Sequence, residues 1–179
     1  MMNETPKNPV LDRIRENIAR GGKHVYVVSG AATPRFAYTI GLSESVGFEL
    51  ILAGAVFYMK DDVVKIIDRI AAGLKSCSDR EGFEVEGLGS FTLRKTHSSW
   101  SKEFMLGAFD YYKKCDIPAL QIVPDQAHWT IDVPDMNAPW SASSEPVWRW
   151  LKEPWIFPVP KDSTAATNLA ALRGGESLR

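Results

Sequence analysis

The chain has three histidines and two cysteines, and none of them stands at a spacing that makes a local site. His24, His97 and His128 fall in no HxH, HExxH or HxxxH pattern, so metal-ligand spacing is absent and the sequence predicts neither a metal nor a cofactor. A metal route survives only if all three histidines meet in space. Cys77 and Cys115 make no CxxC pair and no disulfide framework, which suits free thiols in a reducing compartment and a cytoplasmic location. Cys115 reads either as a nucleophile paired with a distant histidine or as a small buried hydrophobe. Missing too are a G-x-S-x-G elbow, a Walker loop and a G-x-G-x-x-G turn. The 21 basic and 22 acidic residues come without long blocks of either sign, so no footprint for nucleic acid or an anionic membrane is expected. No apolar run approaches the roughly 18 residues of a membrane span, and positions 1–7 lack the apolar region of a secretion signal.

What is present is a scaffold. With 45% hydrophobic and 24% charged residues, the 179-residue chain has the composition of one globular domain with a real core. It is organised around residues 36–56, two apolar runs at 36–42 and 48–54 separated by Ser43-Glu44-Ser45-Val46-Gly47, the pattern of a β-hairpin with a medium loop. Simple closure of that loop pairs Leu42 with Phe48 and Thr39 with Ile51. One face then carries Phe36, Tyr38, Ile40, Leu42, Phe48, Leu50 and Leu52, and the other the smaller set Ala37, Thr39, Gly41, Glu49, Ile51 and Ala53. The small face needs a cover, and a helix of the same chain is the expected one.

Before the hairpin, Asn8 as N-cap, Pro9 at the first helical position and Gly21-Gly22 as the stop mark a helix with Leu11, Ile14 and Ile18 on its apolar stripe and Arg13 on a solvated face. His24-Val25-Tyr26-Val27-Val28 follows as a strand, antiparallel to the hairpin. After the hairpin, residues 60–74 repeat Val63, Ile66, Ile67, Ile70 and Leu74 at helical spacing, the strongest helix of the sequence and the candidate cover for the small face. Short strands at 83–86 and 91–96, a helix at 100–113 capped by Ser98 or Ser99, and a strand at 118–123 complete the pattern.

Seven of the 11 prolines and five of the six tryptophans fall in 124–160, too Pro-rich for central strands and too aromatic for a disordered linker. Residues 124–160 therefore read as an irregular arm, with one helix near 144–152, whose Trp129, Trp140, Trp148, Trp150 and Trp155 dock on the domain or line a ligand groove or partner surface. Residues 1–160 make the domain and 161–179 a loosely held tail. The expected fold is α+β: a mainly antiparallel sheet of five to six strands, strongly bent or barrel-like, with covering helices.

The order of these pieces carries a resemblance. A glycine-ended first helix, a His-Val strand, F-A-Y-T-I-G-L, an E-L-I strand, then A-L-Q-I-V-P-D and a Pro-Trp resemble the bacterial DUF4262 family, a domain of unknown function, from about Ile14 to Trp140. This chain has Gly47-Phe48 where the family commonly has His-Pro before Glu-Leu, and a longer route from Pro124-Asp125 to Pro139-Trp140. The resemblance implies no activity.

Candidate site residues are the polar groups set inside apolar strands. Glu49, between Phe48 and Leu50, is costly to bury unless paired or hydrogen-bonded, for example to Arg35 or a backbone amide. Its functional reading is a general base, with Asp125 or His24 as the other catalytic candidates and Tyr38, Thr39, Gly41, Gln121 and Trp140 as ligand-binding candidates. Three function classes stay open: a small soluble module that binds a small ligand or a protein partner, a homodimer included; a metal-independent acid/base hydrolase or isomerase; and, by analogy alone, a flavin or nucleotide site on a barrel-like sheet.

Overall fold

A computed structural model of the chain describes residues 8–29, 34–54, 57–74, 82–114, 116–128 and 133–140. The helix expected near 144–152, the tail, both cysteines, Trp129, Trp148, Trp150 and Trp155 lie outside the described residues.

Helix α1 (Pro9–Gly21) starts and stops where its caps dictate. The Asn8 side chain accepts from the amides of Val10 and Leu11, and Gly22, at φ 76°, ends the helix. Strands β1 (His24–Val28) and β2 (Phe36–Ile40) pair antiparallel, and a one-turn helix, α2 (Ser43–Val46), leads to β3 (Glu49–Ala53). Helix α3 (Lys60–Leu74), strands β4 (Phe83–Val85) and β5 (Gly89–Lys95), helices α4 (Ser98–Phe104) and α5 (Leu106–Tyr112), strand β6 (Ala119–Pro124) and a 3₁₀ turn at Gln126–His128 follow.

The six strands form one sheet in the order β1-β2-β3-β6-β5-β4. The expectation of a barrel-like, mainly antiparallel sheet is corrected: the sheet is open, and it is mixed. Strand β6 runs parallel to β3 at its centre, joining two antiparallel halves. A parallel pairing needs a long crossover, and the chain between β3 and β6 supplies one. Reading the strands in chain order hides that return.

The hairpin register differs from the simple closure by one residue. Phe36 pairs with Ala53, Ala37 with Leu52 and Tyr38 with Ile51, and α2 takes up the slack between the strands. A slip of one residue moves a strand's side chains to the opposite face. Ala37, Leu42, Phe48, Leu50 and Leu52 therefore pack with Val63, Ile66, Ile67 and Ile70 of α3. Phe36, Tyr38, Ile40, Ile51 and Ala53 pack on the other face with Ile14, Trp100, Phe104, Met105 and Ala108. Helix α3 does cover the hairpin, but over this re-sorted face.

The single helix expected over 100–113 is two. Met105, at φ −99° and ψ 43°, breaks it, and the amide of Gly107 in the first turn of α5 donates to the Tyr38 hydroxyl at 3.0 Å. A Cβ at position 107 would stand 2.8 Å from that hydroxyl, so the glycine lets α5 abut the sheet. The cap of α4 is His97 rather than a serine: its side chain accepts from the amide of Ser99. Among the described residues no helix is long and apolar enough to cross a membrane.

Candidate functional site

Glu49 opens β3 and is fully buried. Its carboxylate accepts from five donors: the Thr39 hydroxyl at 2.6 Å, the Tyr112 hydroxyl at 2.5 Å, and the amides of Gly41, Leu42 and Ser43 at 3.1, 3.3 and 2.9 Å. The geometry follows from Gly41. Its φ of 109° turns the chain out of β2 so that three successive amides face one point, and an ideal Cβ there would meet the Ile18 side chain at 2.9 Å. The Thr39 hydroxyl also accepts from the amide of Leu50 at 2.9 Å and so stands in for a ladder bond between β2 and β3. Arg35 is elsewhere, its guanidinium donating to the Tyr58 carbonyl at 2.8 Å.

A buried carboxylate is tolerable when its lone pairs are filled, and here they are. Among the described residues these donors and the burial of Glu49 leave its carboxylate no open side. Tyr112, whose hydroxyl is raised well above the usual phenol range by burial and by its bond to Glu49, is a member of this cage that sequence reasoning placed only in a core stripe. Beside the cage lies a hollow of about 210 Å³ bounded by Ser43, Tyr112, Lys114 and Pro118.

The other candidates separate. Tyr38 stacks on Tyr26 with ring centroids 5.4 Å apart, and burial pushes its hydroxyl up to about 12. Gln121 is in the middle of β6, where its amide donates to the Pro134 carbonyl at 2.8 Å and accepts from the amide of Met136 at 3.3 Å. Trp140 meets Trp100 and Phe104 edge-on, each with centroids 5.0 Å apart, and its amide donates to the Ser99 hydroxyl at 2.7 Å. The structure thus brings together Thr39, Gly41 and Glu49, while Gln121 and Trp140 fasten residues 133–140 to the domain.

Asp125 is at the opposite end of the sheet from Glu49. Glu49 pairs with Ala119 at the start of β6, and Asp125 follows that strand's end, about 20 Å further on at roughly 3.3 Å per residue. One carboxylate oxygen of Asp125 takes the amide of Ser90 at 2.9 Å, and the other faces Nδ1 of His128 at 2.7 Å. Hydrogen bonds from Ser90 and His128 hold the Asp125 carboxyl below the usual range. Phe57 and Tyr58 flank the imidazole at 5.2 and 6.0 Å. A Cβ at position 89 would lie 2.8 Å from both Asp125 and His128, so the pair packs directly on the backbone of β5. The Asp-x-x-His spacing on a Pro-Asp turn was the signal for this pair, which isolated-histidine reasoning passed over.

His24 faces a third feature. A groove of about 510 Å³ runs between α1 and β1, walled by Val10, Arg13 and Ile14 on the helix and by His24, Val25, Tyr26 and Val27 on the strand. Side chains of a strand alternate between faces, so four consecutive residues line one groove only where the strand's free edge forms its wall. Nδ1 of His24 pairs with the Asn17 amide nitrogen at 2.8 Å, which leaves the imidazole hydrogen on Nε2. Burial and the nearby Arg13 lower the pKa of His24. Among the described residues no three histidine, cysteine, aspartate or glutamate side chains group so as to hold a metal ion.

The sequence pattern of a family described as a domain of unknown function, DUF4262, matches residues 17–129. The chain belongs to the DUF4262 family. No curated protein and no solved structure matches it. The DUF4262 match takes in the Glu49 cage, the Asp125–His128 pair and β1, and begins beyond Arg13. In this DUF4262 chain Gly47, at φ 87°, ends α2 and Phe48 enters the α3 core.

Proposed function

We propose that this DUF4262 protein is a binding module of the cytoplasm and that its site is the groove between α1 and β1. The observation that carries the reading is the free edge of β1. Strand β1 ends the sheet among the described residues, is half-buried along its length and carries no charged residue from His24 to Val28. Edge strands left to solvent are usually blunted by charges, prolines or bulges, because their unpaired amides and carbonyls invite another strand. An unblunted edge with a groove of ligand size alongside fits a surface that receives an extended segment.

The test is selection of octapeptides from a random library on the immobilised chain, followed by competition against Val10→Glu. Val10 is 52% exposed, so the substitution fills the groove's rim without disturbing the core. Selected peptides should lose binding to the variant. Binding that survives undiminished would place the site elsewhere.

A second reading, a metal-independent acid/base enzyme, has its own observation in the Asp125–His128 pair. An aspartate that fixes Nδ1 leaves Nε2 to exchange a proton with a substrate, and Nε2 has no partner among the described residues. This reading replaces Glu49 with His128 as the base, since Glu49 is enclosed. Turnover in an ester and amide panel that vanishes in His128→Gln and falls in Asp125→Asn would favour it; no turnover in the panel would leave the binding reading alone.

A further inference from the structure

The groove is not neutral. Its walls carry Arg13 and His24 and no acidic residue. Arg13 is exposed, and neither a hydrogen bond nor an ion pair engages it among the described residues, whereas its neighbours Asp12 and Arg15 are bonded to each other at 2.9 Å. The Nε2 hydrogen of His24 is a second donor without a partner among the described residues, fixed in direction by Asn17. Between these two donors the groove is lined by Ile14 and Tyr26, which share one face of the sheet, and by the edge of β1 at Val25 and Val27.

Resting on the binding reading above, we propose that the groove takes an extended acidic segment of a partner protein, which adds to the free edge of β1 and sets a carboxylate between Arg13 and His24. Each part of the groove matches one part of such a segment. Five residues of β1 offer about 17 Å of edge, enough for a strand of similar length to form a short ladder. The guanidinium offers a planar fork of donors that suits a carboxylate, and the imidazole Nε2 hydrogen adds a third contact from the strand side. A second copy of the chain is a poorer match: antiparallel pairing of two β1 edges would bring the Arg13 and His24 of both copies to one interface without an acid from either β1.

Two labelled heptapeptides of alternating valine and threonine test this, one ending in Asp-Glu and its twin in Asn-Gln, titrated into the full chain by NMR. The acidic peptide should shift the amides of residues 24–28 and bind about tenfold more tightly than the neutral one, the usual worth of one charge-assisted contact, and Arg13→Gln should erase that preference. Equal binding of both peptides at β1 would overturn the acidic class and leave the edge reading standing. Failure of both to move β1 amides would overturn the two together. Self-association of the free chain through β1 would replace the partner with a second copy and overturn the proposal.

Discussion

The Tyr112 hydroxyl donates to Glu49 at 2.5 Å and accepts from the amide of Gly41 at 2.6 Å, so one phenol joins the end of α5 to both β3 and the turn out of β2. Removing either end of that link exposes its cost. Glu49→Gln sets an amide nitrogen against groups that are all donors, and it should destabilise the fold by roughly 2–4 kcal/mol. Tyr112→Phe removes one donor of five and should cost about 1–2 kcal/mol. A denaturant melt measures both, and an unchanged midpoint for Glu49→Gln would refute the anchoring role.

Gly41 is under two constraints at once, its positive φ and the 2.9 Å approach of Ile18. Gly41→Ala should therefore lose roughly 2–3 kcal/mol. Adding Ile18→Ala opens the space but not the dihedral angle, so the double variant should be less destabilised than the sum of the single changes. Strict additivity in thermal or denaturant unfolding would show that Ile18 is not the obstacle.

Gln121 uses both ends of its amide on residues 133–140. Gln121→Glu places a carboxylate oxygen opposite the Pro134 carbonyl and should cost about 2–3 kcal/mol. Tryptophan fluorescence should change with it, because Trp140 rests against Trp100 and Phe104 in the segment that Gln121 holds. A variant with unaltered emission and stability would mean that the segment stays in place without Gln121.

Alkaline pH should unfold the protein cooperatively. Burial raises Tyr38 and Tyr58 to about 12, with Asp125 adding to the rise at Tyr58, and it raises Tyr112 further. In the unfolded chain these phenols ionise near their ordinary value of 10.0, so the unfolded state loses protons first. Their contribution is complete below about pH 10 and is lost as pH rises towards 12. Tyr38→Phe should flatten that loss. Tyrosinate absorbance that rises smoothly without unfolding would contradict the buried, hydrogen-bonded state of these groups.

How far the sequence could be read depended on range. Caps and periodicity are local, so Asn8, Gly22 and the stripe from Val63 to Ile70 were legible from the residues alone. The register of β2 and β3 was not, because Gly41 and Gly47 both take positive φ and fold the presumed loop into a helical turn. Glu49 stood out as a carboxylate in an apolar strand, but Tyr112 is 63 positions away and looks like any core aromatic. Arg13 reads as a solvated helix residue until β1 is seen beside it.

The central claim is that β1 accepts a partner strand, and amide hydrogen exchange along residues 24–28 tests it most directly. In the free chain, alternate amides of β1 should exchange quickly while those bonded to β2 are protected. With the acidic heptapeptide bound, the fast amides should slow by at least tenfold, as amides newly bonded in a ladder do, and the protected ones should hardly change. Exchange in β1 that is identical with and without bound peptide would contradict the account.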